Sequence, residues 1–170
     1  MDPLARVGAL APAFGLPDLD HRVFRLADQR GRITVVNFWS VECPWSAHAD
    51  PVVLGAVQKA GADLWTIACC DGELPKAIRQ TAQERGLKII LLDPDQAVAD
   101  LYGASATPHV FVVDALGFLR YQGAPDDTGF GFHPPTRSYL DEALTALRTG
   151  RLPDPAETPA LGCAIVRRFR

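Results

Sequence analysis

The chain has 170 residues, 48% of them hydrophobic and 22% charged, a balance that suits one soluble globular domain with a real core. A net charge of −3 gives no reason to expect nucleic acid, and no apolar run approaches the ~20 residues of a membrane span. The opening stretch MDPLARVGALAPAF contains an acid and two prolines and lacks a signal-peptide core, so a cytoplasmic location is expected.

In chain order, DLDHRVFRLADQRGR alternates apolar and polar residues around a turn at Asp20-His21 and predicts a hairpin. ITVVNFW, residues 33 to 39, is β-branched and almost wholly apolar, as a strand covered on both faces should be. Cys43 follows, just before Pro44, a residue suited to the first position of a helix. That helix carries Ala49, Val52, Val53, Ala56 and Val57 at helical spacing and is expected to kink at Pro51. LWTIACC, 64 to 70, predicts a second buried strand, LPKAIRQTAQERG a helix from Pro75 to Gly86, and LKIILLD a third strand. A short helix in DQAVADLYG, a hairpin of HVFVVD and FLRYQG, and a helix in RSYLDEALTALRTG complete the pattern. This order predicts an α/β domain over residues 1–150 with a mixed central sheet flanked by helices, followed by a proline-rich tail, 151–170, that carries Cys163. The terminal RRFR reads as a solvated charge run. The loop APDDTGFGFHPPT, 124 to 136, is long and rich in glycine and proline but has no motif that names a ligand.

Four cysteines, at 43, 69, 70 and 163, match no zinc spacing and no disulfide framework. Cys43 has the position of a reactive thiol. A strand that ends in a loop opening a helix leaves unpaired N–H groups and the positive end of the helix dipole beside the sulfur. Ser46 lies on the same side of the first turn, where its hydroxyl could donate to that sulfur. A thiol lowered from ~8.5 to ~6.5 is mostly ionised at neutral pH. Glu42 opposes the effect, because a neighbouring carboxylate raises a thiol pKa. Cys69 and Cys70 end a core strand, so at most one of them can face the site, and packing is the expected role of both. His48 reads as a surface or capping residue, His109 as structural, and Trp39 as a wall of the site or a core residue. Trp45 is either an exposed aromatic that contacts a partner or a ring folded onto the adjacent loop.

NFWSVECPWSAHADP resembles the NFWAxWCPxC…P stretch of the thioredoxin-like redoxins, in the strand, Trp39, the Cys43-Pro44 pair and Pro51. ATPHVFVVD is similar to that family's cis-proline segment, and APAFGLPDLD and ETPALGCAI extend the likeness over nearly the whole chain. Together these resemble the peroxiredoxin-like (AhpC/TSA-type) redoxin branch of the thioredoxin-like superfamily. The resemblance implies a thioredoxin-like fold with an N-terminal β-hairpin and an inserted helix-strand. It also implies a cis turn at Thr107-Pro108 opposite Cys43, with the Thr107 backbone free to pair with a bound substrate. Ser46 in place of a second cysteine rules out a local thioredoxin-type disulfide. Ser40 fits the small hydroxyl residue of true peroxiredoxins, but Val36 stands where they have proline and Pro108 where they have an activating arginine, which disfavours a fast peroxidase.

The recurring GC in the tails of look-alike sequences makes Cys163 a candidate resolving thiol, the alternative being a docked structural thiol. The segment from Gly150 to Cys163 covers at most about 45 Å, so reach is permitted but not dictated. The function this implies is a thiol-dependent oxidoreductase with Cys43 as nucleophile, Ser46 stabilising the thiolate, and Trp45, Thr107 and Pro108 contacting the substrate. No cofactor and no metal are expected. The expected partners are a protein or low-molecular-weight disulfide and an external thiol reductant such as thioredoxin. The alternatives are a redox-inactive binding module of the same fold and a slow peroxidase.

Overall fold

The computed structural model describes residues 4–131 and 133–169; Met1–Pro3 of the opening stretch, Phe132 of the long loop and Arg170 of RRFR lie outside the described residues. In chain order the elements are β1 (Gly15–Pro17), β2 (Val23–Arg25), β3 (Thr34–Trp39), α1 (Pro44–Ala60), β4 (Asp63–Ala68), α2 (Pro75–Glu84), β5 (Ile90–Leu92), α3 (Ala97–Tyr102), β6 (Ala106–Thr107), β7 (His109–Val113), β8 (Leu119–Gly123), α4 (Tyr139–Arg148) and β9 (Cys163–Ala164).

β3 is buried along its whole length, because its apolar, β-branched run is covered on both faces. It is the middle strand of a five-stranded sheet ordered β5-β4-β3-β7-β8. β4 runs parallel to β3 and β5 to β4, whereas β7 pairs antiparallel with β3 and β8 with β7. Alternate residues of β3 feed opposite layers. Val35 packs with Val53, Val57, Leu140 and Leu144 of α1 and α4. Phe38 faces an aromatic layer in which Tyr102 and Phe111 meet edge-on at 5.2 Å. Full burial of Leu140 or Leu144 contributes on the order of 2 kcal/mol each.

The predicted hairpins, the four helices and the mixed sheet are all present. Helix α1 continues through Pro51 and ends at Gly61, whose φ of 65° is the left-handed stop that glycine permits. One expectation changes. Strand β4 stops at Ala68, where its pairing with Leu92 ends, so Cys69 and Cys70 lie beyond the sheet and strand alternation does not govern them. Arg167 and Arg168 are exposed, as expected, and form surface ion pairs: Arg167 with Asp100 at 2.8 Å and Arg168 with Asp95 at 3.2 Å.

Those pairs belong to a tail that packs along the molecule. Glu157 bridges to Gln122 beside β8, and the Thr158 hydroxyl accepts from the Ala124 amide at 3.0 Å. A side chain at Gly123 would meet the Thr158 carbonyl at 2.3 Å, so glycine is what lets the tail approach. Further on, β9 pairs antiparallel with β6, Thr107 opposite Cys163, and Ile165 is buried in the main core. Neither two-residue strand has a periodic signal long enough to read from sequence.

Candidate active site

Cys43 is the N-cap of α1, with extended backbone (φ −81°, ψ 115°) and Pro44 at the first helical position. Its sulfur takes the place of a capping hydroxyl and accepts from the Ser46 backbone amide at 3.4 Å. The side chain of Ser46 plays a different part from the one expected: its Oγ accepts from the Ser40 amide at 3.4 Å. Only 3% of Cys43 is exposed. In its protonated form the thiol donates to the Thr107 carbonyl at 3.0 Å, and Thr107-Pro108 is cis.

The pairing of β6 with β9 carries Cys163 onto this spot. Its Sγ lies 2.8 Å from the Cys43 Sγ, less than about 1 Å beyond the length of a formed disulfide. Burial opposes ionisation of Cys43, but the Cys163 thiol and the Ser46 and Cys163 amides outweigh it and hold the Cys43 pKa below the ordinary thiol value. Burial and the adjacent Cys43 sulfur push Cys163 up to about 11. When the pair loses one proton, the one that remains resides on Cys163, which donates to the Cys43 thiolate. Gly162 makes this approach feasible, since a Cβ there would meet the Thr107 carbonyl oxygen at 2.1 Å.

The loop before Cys43 is braced from two sides. The Glu73 carboxylate accepts from the Ser40 hydroxyl at 2.5 Å and the Val41 amide at 2.8 Å. Burial raises its pKa, and those same donors act in the opposite direction. Arg85 donates to the Val41 carbonyl at 3.2 Å, pairs with the buried Asp50 at 3.2 Å, and stacks over Trp39. The Trp39 indole also donates to Asp50, so Trp39 is a core residue behind the site. Burial raises the Asp50 pKa despite both partners.

A cleft of about 200 Å³ opens over the sulfurs, lined by residues that include Ser40, Cys43, Cys70, Cys163, Glu42, Asp71 and Glu73. Its described lining contains three carboxylates and no Lys or Arg. Cys69 is buried in the core, whereas Cys70 is half-buried and faces this cleft. Trp45 is half-buried with its ring edge-on to Phe130 of the long loop at 5.3 Å. His109 is buried beside Phe111 and its Nδ1 accepts from the Ser105 amide at 3.4 Å. His48 is half-buried on α1.

Sequence reasoning missed Glu73, Arg85, Asp50 and Gly162. Asp50 had a signal, because two helical turns separate it from Cys43 on one face of α1. Glu73, Arg85 and Gly162 act across long sequence separations and leave no local pattern.

The AhpC/TSA family model matches residues 7–122. The thiol-disulfide oxidoreductase ResA of Geobacillus thermodenitrificans (strain NG80-2) is 32% identical over 122 residues, 67% of this chain and 67% of that relative. A Mycobacterium tuberculosis protein (strain ATCC 25618 / H37Rv), provisionally named a peroxiredoxin, is 31% identical over 127 residues, 72% of this chain and 79% of that one. The crystal structure of an uncharacterized conserved protein from Geobacillus kaustophilus superposes with a TM-score of 0.88 at 26% identity, over 98% of this chain and 95% of that chain. The expected thioredoxin-like α/β fold is the fold observed.

Proposed function

The chain belongs to the AhpC/TSA family, and from that premise we propose that it is a thiol-disulfide oxidoreductase whose nucleophile, Cys43, is resolved by Cys163. The Cys43 thiolate attacks a substrate disulfide, forming a mixed disulfide and expelling one substrate thiolate. Cys163 then attacks the Cys43 sulfur, loses its proton and expels the second substrate thiolate. The substrate gains two electrons and a Cys43–Cys163 disulfide remains, to be reduced by an external thiol. The observation that carries this reading is the hydrogen-bonded sulfur pair, 2.8 Å apart at the N-terminus of α1. The relative named a thiol-disulfide oxidoreductase supports the reaction class.

In this reading the backbone of Ser46 holds the thiolate, while Thr107 and Pro108 form the edge against which a substrate strand aligns. Trp45, with Phe130, forms the outer rim that a substrate meets. Cys43 is nearly covered by the tail, so the tail lifts to admit substrate and returns to resolve it. The division of the chain into residues 1–150 and a tail, 151–170, is part of the same proposal, and so is a cytoplasmic setting. Among the described residues no helix is long and apolar enough to cross a membrane.

The relative provisionally named a peroxiredoxin keeps peroxide reduction as a second reading. The acidic lining of the cleft argues against it, since no described cation there would stabilise a developing oxyanion. The experiment follows the reduction of a disulfide-linked peptide by the pre-reduced protein. Wild type transfers two electrons per chain, and Cys43→Ser transfers none. Transfer undiminished in Cys43→Ser, or absent from wild type, sinks the proposal and favours a binding module.

A further inference from the structure

We propose that Cys70 is a third redox thiol of this cleft, which takes the disulfide over from Cys43 by attacking Cys163. The inference rests on the exchange reaction just described and extends it. Cys43, Cys70 and Cys163 all line one cleft, and a single stretch of tail spans it. At one end Cys163 lies over Cys43. At the other, the Asp71 amide donates to the Val166 carbonyl at 3.0 Å, and Val166 lines the cleft beside Cys70. The Gln96 side chain fastens this end, donating to the Cys69 and Val166 carbonyls at 2.7 Å each. The extended step from Cys163 to Val166 covers at most about 10 Å. Bringing Cys163 to Cys70 requires the two-residue strand β9 to unpair from β6.

The two ends differ in access. Cys43 is 3% exposed beneath the tail, while Cys70 is half-buried at the cleft wall. In a Cys43–Cys163 disulfide the Cys43 sulfur is shielded, so attack falls on the half-buried Cys163 sulfur, which lines the same cleft as Cys70. In the transfer, the Cys70 thiolate attacks the Cys163 sulfur, the Cys70–Cys163 bond forms as the Cys43–Cys163 bond breaks, and Cys43 leaves as a thiolate held by the Ser46 amide. No electrons are gained or lost. Hydrogen bonding from the Cys69 thiol, aided by the Val166 amide, pulls Cys70 down to about 7, near the ambient pH at which an attacking thiol works best. Cys43, its pKa lowered, is a better leaving group than Cys163, raised to about 11.

The test treats reduced protein with one equivalent of diamide, quenches with N-ethylmaleimide at increasing times, and maps linked peptides without reduction. The expected order is Cys43–Cys163 first, then Cys70–Cys163 with Cys43 alkylated. Reduction of the oxidised protein by dithiothreitol is expected to slow about tenfold in Cys70→Ser. A Cys43–Cys163 link with Cys70 alkylated in every map, or a Cys69–Cys70 link instead, overturns the inference and leaves the exchange reading standing. Absence of any link to Cys43 overturns both.

Discussion

The Cys163 sulfur stands 2.8 Å from the Cys43 sulfur while the Cys163 backbone pairs with Thr107, the residue before the cis proline. A short antiparallel pairing thus delivers a thiol from the tail to a cysteine that has lost its usual partner, Ser46 occupying that position. The pairing is narrow, two residues on each strand, and each element that supports it can be removed separately.

Gly162 is the tightest of these. A Cβ there would lie 2.1 Å from the Thr107 carbonyl oxygen, a backbone atom that cannot swing aside. Gly162→Ala should lift β9 off β6, slow formation of the Cys43–Cys163 link at least ~10-fold, and speed alkylation of Cys43 as its cover opens. Alkylation of Cys43 no faster than in wild type would show that the tail does not cover it in solution.

Ionisation of Cys43 gives a second test. Only the thiolate reacts with iodoacetamide, so the rate rises with pH and levels off above the pKa. Burial resists ionisation, yet the Cys163 thiol and nearby amides place the balance below an ordinary cysteine. The midpoint of the Cys43 rate profile should lie below that of an unfolded control peptide. It should move upward in Cys163→Ala, which removes the largest of the favourable donors. A midpoint unmoved by that substitution would mean that the helix N-terminus alone sets the pKa.

Arg85 is predicted to matter for stability. It pairs with Asp50, which is 2% exposed, and holds the Val41 carbonyl. Arg85→Leu leaves a buried carboxylate without its cation and should cost about 3 kcal/mol in urea denaturation. A loss under about 1 kcal/mol would indicate that Trp39 alone satisfies Asp50.

His109 should govern part of the acid response. Burial depresses its pKa from 6.5 to about 4, so the folded protein holds it neutral where the unfolded chain is charged. Its contribution to stability is full above pH ~6.5 and lost as pH falls toward ~4, on the order of 3 kcal/mol. His109→Gln should flatten the decline in melting temperature across that window. An unchanged slope would place the proton acceptor elsewhere.

Much of this was legible in the sequence where the signal is local. The apolar run of β3, the Cys43-Pro44 junction and the helix end near Gly86 each carry their meaning within one turn or strand. Cys163 was identifiable only through resemblance, because a tail segment that reaches up to about 45 Å can bring it to Cys43 or equally take it elsewhere. Of Cys69 and Cys70 at most one was expected to face the site, and Cys70 does; the reason differs from strand alternation, because the ladder ends at Ala68. Glu73, Arg85 and Gly162 were invisible for a shared reason: each acts on a backbone group far away in sequence, and no spacing rule encodes that.

The account rests on one covalent link, and the most direct measurement is a non-reducing peptide map after one equivalent of a disulfide oxidant. A Cys43–Cys163 peptide as the first product is the predicted result. Cys43 recovered as a mixed disulfide with the oxidant, with Cys163 still a free thiol at every time point, would contradict it and make Cys43 a thiol resolved from outside the chain.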